Sequence, residues 1–270
     1  MSTNIVKSLL ASVVLSVAVV GSQSLEKRSL TSYSSGISEK EAKIADETLA
    51  SRLKVAKVSP SFGFDNAVAD SIFVQFLQYF GDEEARNQTG YSRSPDFFEA
   101  LISHDPNYRD FYVFLSGSST LYAGNPEKST ELMASGLSTL KPNQPSDSYY
   151  IWRYKGVDEL LFLGDGKAAQ SSFLAASEWA KESHDENSDR VSELSKRTAS
   201  FLADNPDSRV AQIDAWSSLL STALDKETRK RAVEKIEELG GSVAISESGG
   251  ISIQYEKAEN ADKALDNPDI

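Results

Sequence analysis

Ala123-Gly124-Asn125-Pro126-Glu127-Lys128-Ser129-Thr130-Glu131-Leu132-Met133 is echoed by Leu163-Gly164-Asp165-Gly166-Lys167-Ala168-Ala169-Gln170-Ser171-Ser172-Phe173. Each stretch follows an aromatic-rich helical pattern and opens a second one. A single helical hairpin cannot bury its apolar face alone, so this recurrence predicts stacked helix–turn–helix units. A second echo closes the later helices: Ala100-Leu101 before Asp105-Pro106-Asn107 matches Gly136-Leu137 before Lys141-Pro142-Asn143.

Working outward, Ser38-Glu39-Lys40-Glu41 forms a capping box for a helix over 39–57, with Ala42, Ala45, Leu49, Leu53 and Ala56 on its narrow apolar face. The core is expected to begin at Phe62. Val68, Ile72, Phe73, Phe76, Leu77 and Phe80 share one helical face ended by Gly81. Asp82 to Arg93 reads as a polar loop. Ser94-Pro95 reads as a cap and first-turn proline before Phe97, Phe98, Leu101 and Ile102. Tyr108, Phe111, Leu115, Ser118 and Tyr122 mark the next helix, in which Ser116-Gly117-Ser118-Ser119 would admit a neighbouring backbone. Asn125-Pro126 caps the helix carrying Leu132, Met133, Gly136, Leu137 and Leu140. Tyr150, Tyr154, Val157 and Leu161 form the following face, and Ala169, Phe173, Ala176 and Ala180 its partner. After a charged linker from Glu182 to Asp189, helices are predicted over Arg190–Ala203, Arg209–Leu224 and Glu227–Leu239. Two alternating runs around Glu247-Ser248-Gly249-Gly250 signal a β-hairpin.

These segments resemble tetratricopeptide repeats. In that family a small residue closes the first helix, and small residues in the second mark where the pair touches. Gly164, Ala169, Phe173 and Ala176 match the pattern, and Gly124, Ser129, Met133, Gly136 and Pro142 match with one extra residue before the proline. The spacing from Gly124 to Gly164 exceeds the usual repeat, and the helices after Arg190 lack the signature. The run from Phe62 to Asp82 and the Gly240-Gly241 hairpin are also similar to bacterial repeat proteins with an N-terminal hydrophobic segment, including cyanobacterial ones.

The expected fold is therefore all-α: a tetratricopeptide-like solenoid of helical hairpins with a small C-terminal β-hairpin. Its division is a signal peptide or membrane anchor over 1–22, a tether with an amphipathic helix over 23–60, the helical domain over 61–240, the β-hairpin over 241–256 and a disordered tail over 257–270. Ser8 to Val20 is an apolar run behind Lys7 and before Gly21-Ser22. A spanning helix needs roughly 20 apolar residues, so this shorter run fits a cleaved leader, with an uncleaved anchor as the alternative. Export to a periplasm or thylakoid lumen is the expected localisation.

The formal net charge of -12 opposes general attraction to nucleic acid or anionic membranes, leaving basic protein segments as possible partners. Membrane contact is expected only through the N-terminal run, if it is retained. The absence of cysteine excludes disulfides, thiolate metal sites and thiol catalysis. No cofactor or metal is expected. Gly164-Asp165-Gly166-Lys167 has alanine where a phosphate loop needs Ser or Thr. Asp185, Asn187 and Asp189 begin a calcium-loop spacing, but Arg190 replaces its glycine and Lys196 its bidentate glutamate. His104 and His184 lack metal-ligand spacing, and His104 suits a helix C-terminus.

Nothing nominates a catalytic residue, so the chain reads as a binder of protein or peptide segments rather than an enzyme. A hydrolase on a helical superhelix, using carboxylates not identifiable here, is the alternative; two close carboxylates in a deep pocket would favour it. Exposed Tyr and Trp suit peptide recognition, which makes Trp152, Tyr149, Tyr112 and Tyr108 the candidate contact residues. Because Tyr150 and Tyr154 share a face with Val157 and Leu161, Trp152 is expected to point outward and Tyr154 to support the fold. The resemblance extends the reading to assembly of a membrane-associated complex.

Overall fold

The computed structural model describes residues 39–204, 207, 209–222, 225–245 and 251–255. The leader or anchor, the first part of the tether and the C-terminal tail lie outside the described residues. The chain divides into two units, residues 1–47 and 48–270. Of the first, only the start of helix α1 (Glu39–Val58) is described. The remainder of α1 belongs to the second unit, where Leu49, Leu53 and Ala56 pack on the main core.

Three helical hairpins follow in the second unit. In the first, α2 (Asp65–Gly81) is extended by α3 (Glu83–Thr89) before α4 (Ser94–His104) returns. In the second, α5 (Arg109–Leu115) continues as a π-helical segment, Ser116–Tyr122, and pairs with α6 (Pro126–Leu137). The third joins α7 (Tyr149–Leu161) to α8 (Gly166–Lys181). Second helix packs on second helix (α4 on α6), and first on first (α5 on α7). This is the repeating helix–helix packing of a helical solenoid.

The turns repeat in backbone detail. Gly90, Gly124 and Gly164 have φ of 65°, 66° and 66°, a left-handed conformation that glycine adopts without a Cβ penalty. The amides of Ala123 and Asn125 donate to the carbonyls of Ser118 and Ser119, and those of Leu163 and Asp165 donate to Asp158 and Glu159. Asn125 and Asp165 then cap the amides of Lys128 and Ala168 at 3.1 and 2.9 Å. The second and third hairpins thus superpose in sequence with an offset of 40 residues.

Helix α9 (Ser188–Asp204) packs on α8, whereas α10 (Arg209–Thr222) pairs with α11 (Lys226–Glu238) and touches α7. Strands β1 (Ser242–Ile245) and β2 (Ile251–Gln254) form an antiparallel pair with Val243 opposite Ile253. These two residues and Tyr255 pack on the core of α10 and α11, which supplies the support a lone hairpin needs in water.

The structure corrects several local expectations. Asp82 to Arg93 contains α3: Asp82 caps the Ala85 amide at 3.1 Å, and buried Arg86 lies 3.7 Å over the Tyr79 ring. Ser94 lies inside α4, so it is not the cap, and its hydroxyl is buried without a partner. Phe62 is 87% exposed and does not begin the core. A Cβ on Gly117 would meet nothing within 4 Å, so no backbone closes on that glycine, although Ser118 and Ser119 beside it are buried. On α7 the buried side chains are Tyr149, Ile151, Asp158 and Glu159, and Val157 is exposed. Two buried carboxylates there break the link between hydrophobic phase and the inward face.

Candidate functional site

The four aromatic candidates occupy three kinds of place. Tyr112 and Tyr149 are fully buried and offer no surface to a partner. The Tyr112 hydroxyl donates to the Pro106 carbonyl at 2.8 Å, and the Tyr149 hydroxyl donates to Asp185 at 2.5 Å. Burial raises both phenols well above their ordinary range, with the Asp105 charge adding at Tyr112 and the hydrogen bond to Asp185 adding at Tyr149. These are structural hydroxyls.

Trp152 is half-buried, edge-on to Trp179 with ring centroids 5.8 Å apart, and its Nε1 is buried without a partner. The structure therefore turns it toward α8 instead of outward. The turn-derived offset explains this, because Trp152 falls 40 residues after Tyr112, the buried contact residue of the previous first helix. Tyr108 is 49% exposed and stands against Phe111 at 4.8 Å.

The first helices carry exposed apolar side chains that the aromatic reading missed. Val74 and Leu77 on α2, Val113 and Phe114 on α5, and Val157 on α7 are all exposed. On the second helices α4, α6 and α8, only Leu174 joins the large exposed apolar side chains among the described residues. Phe114 reaches across to α2, edge-on to Phe73 at 5.1 Å. The Val113-Phe114 pair within a helical run was the available signal, since adjacent apolar residues cannot both face the core.

Arg109 opens α5. Its guanidinium holds Asp110 at 2.5 Å and Asp147 at 3.3 Å and lies 5.4 Å from the centre of the Tyr150 ring. Tyr150 stacks on Tyr154 at 6.3 Å. Burial raises the Tyr154 phenol; the Arg109 charge opposes that rise and the Asp110 charge assists it.

Asp158 and Glu159 are adjacent buried carboxylates, the arrangement a hydrolase would invite. Asp158 is fully buried and accepts hydroxyl hydrogen bonds from Ser116 and Thr120 at 2.6 Å and from Ser129 at 2.9 Å. Burial raises its carboxyl, the three hydroxyls oppose the rise, and the Glu159 charge adds to it. Glu159 accepts from Ser172 at 2.6 Å and pairs with Lys155. Both carboxylates are thus occupied by internal donors and join helices to one another. Among the described residues, no group of three or more His, Cys, Asp or Glu side chains could hold a metal ion. No described helix is long and apolar enough to cross a membrane. Comparison with protein-family models, curated proteins and solved structures finds no match to this chain.

Proposed function

We propose that this chain is a tetratricopeptide-like scaffold that binds protein or peptide segments along the first helices of its hairpins. The observation carrying this reading is the concentration of exposed apolar side chains on α2, α5 and α7. A monomer gains nothing from a lateral apolar strip, whereas a partner buries it. Phe114 is the anchor, and the Arg109–Asp147 pair with Tyr150 supplies polar contacts at the rim. The compartment we assign is a periplasm or thylakoid lumen, where the scaffold assists assembly of a membrane-associated complex.

Photo-crosslinking tests this directly. A benzoylphenylalanine placed at Phe114 in the native host should yield discrete protein adducts that the same probe at Leu174 does not. Equal labelling from both sites, or none from Phe114, counts against a first-helix groove.

A further inference from the structure

The end of α1 and the turn after it carry a second exposed apolar feature, separate from the first-helix strip. Val55 is 63% exposed, Val58 76%, Phe62 87% and Phe64 70%. On α1 the inward face is taken by Leu49, Leu53 and Ala56. At about 100° per residue, Val55 and Val58 fall on the opposite side, flanked by Lys54 and Arg52. The chain then makes a tight turn closed by the Phe64 amide donating to the Ser61 carbonyl at 2.9 Å. Its central residues, Phe62 and Gly63, have φ of 52° and 89°. Glycine takes that conformation freely, but a bulky residue does so only against a steric penalty. Nothing in the fold repays it, because Phe62 projects into solvent.

Charge around the tip departs from that of the whole chain. Between Glu47 and Asp65 there are three cations, Arg52, Lys54 and Lys57, and no carboxylate side chain, in a protein of net charge -12. Lys57 is paired with Glu99 at 3.1 Å. Asp65 is engaged by Ser61 and lies 3.8 Å from His104. The local surplus therefore rests on Arg52 and Lys54, both exposed. Two valines and two phenylalanines exposed within this short stretch, with basic side chains long enough to reach past them, match the boundary between acyl chains and anionic headgroups.

We propose that the segment from Arg52 to Phe64 is an interfacial anchor that seats this protein on an anionic lipid surface, Phe62 and Phe64 entering the acyl boundary and Arg52 and Lys54 meeting the headgroups. The excess of cations over carboxylates in this segment suits an anionic headgroup layer better than a basic peptide. This anchor is independent of the peptide-binding reading and of whether the N-terminal apolar run is retained.

The natural absence of cysteine makes the test clean. Phe62→Cys in the full chain is labelled with an environment-sensitive nitrobenzoxadiazole, with Leu174→Cys as control, and mixed with phosphatidylglycerol–phosphatidylcholine vesicles. The label at 62 should shift to the blue, brighten several-fold and be quenched by nitroxide lipids, while the label at 174 stays aqueous. Arg52→Glu with Lys54→Glu should weaken that transfer by about tenfold or more. A label at 62 that stays in water while the chain sediments with vesicles overturns the proposal, because the apolar run alone then makes the contact. Equal transfer onto pure phosphatidylcholine also overturns it. So does a label that leaves water only when an acidic protein is added, which would assign the tip to a protein surface.

Discussion

Arg231 lies directly against Gly124: a Cβ built on that glycine would sit 2.3 Å from the Arg231 Nε, and the guanidinium donates to the Tyr122 carbonyl at 2.8 Å. The same relation recurs at the other turns. Glu227 faces Gly90, where an added Cβ would meet its Oε2 at 2.7 Å, and Gln212 faces Gly164 at 3.1 Å. Helices α10 and α11 therefore close the turn side of all three hairpins, and the left-handed glycines serve both the turn and this contact. Gly124→Ala should destabilise by about 1–2 kcal/mol from backbone strain alone, with a further loss from displacing Arg231. A double-mutant cycle with Arg231→Ala should show the second part as a coupling. Additive effects would mean that Arg231 simply moves aside.

Gly136 tests the hairpin contact. A Cβ there would lie 2.0 Å from the Tyr112 hydroxyl oxygen, and Tyr112 has nowhere to go in a fully buried site. Gly136→Ala should cost about 1–3 kcal/mol by overpacking. Tyr112→Phe in the same chain should recover part of it by removing the nearest atom. Ala176→Leu, at a site with no exposure, should be destabilising too, whereas exposed Lys181→Leu should leave the melting curve nearly unchanged.

Asp158 ties stability to pH. Its folded-state carboxyl is raised, so the folded chain holds its proton more tightly than the unfolded one. The resulting stabilisation is complete below the ordinary Asp range, near 3.9, and is lost as pH rises through the folded value. Urea midpoints measured from about pH 4 to 8 should show wild type losing stability relative to Asp158→Asn as pH rises. A difference independent of pH would sink this assignment. Asp158→Ala strands three hydroxyls and should cost about 3 kcal/mol in acid, with the wild-type advantage shrinking as pH rises.

The hairpin architecture was legible because the turns carry it. Gly124 with Asn125 and Gly164 with Asp165 state the left-handed glycine and the cap in consecutive letters. The faces of helices were legible where burial is apolar, as at Ala169, Phe173, Ala176 and Ala180, all of which are buried. They were not legible on α7, because hydrophobic phase is blind to a carboxylate buried by hydroxyls from other elements. Ser116, Thr120 and Ser129 look like ordinary polar surface until the fold brings them to Asp158. The closure by α10 and α11 was hidden for a related reason: Arg231, Glu227 and Gln212 are polar side chains whose partners are backbone turns more than 40 residues away. The exposed apolar side chains of the first helices were missed because Trp and Tyr were weighted above Val113 and Phe114.

That last point divides fold from binding. Val113 is 43% exposed and Val74 53% exposed. Val113→Asp and Val74→Asp should each change stability by less than about 0.5 kcal/mol while sharply reducing adducts from a photo-crosslinker at Phe114, because a carboxylate placed in a desolvated contact lacks a partner there. Trp152→Ala should do the reverse. It removes the edge-on contact with Trp179 and leaves a gap between α7 and α8, which should cost about 2–3 kcal/mol in a chemical melt. Adducts recovered per folded molecule should be unchanged. If Trp152→Ala abolishes crosslinking in protein that is still folded, while Val113→Asp leaves it intact, the partner lies on the α7–α8 side and the first-helix strip has another purpose.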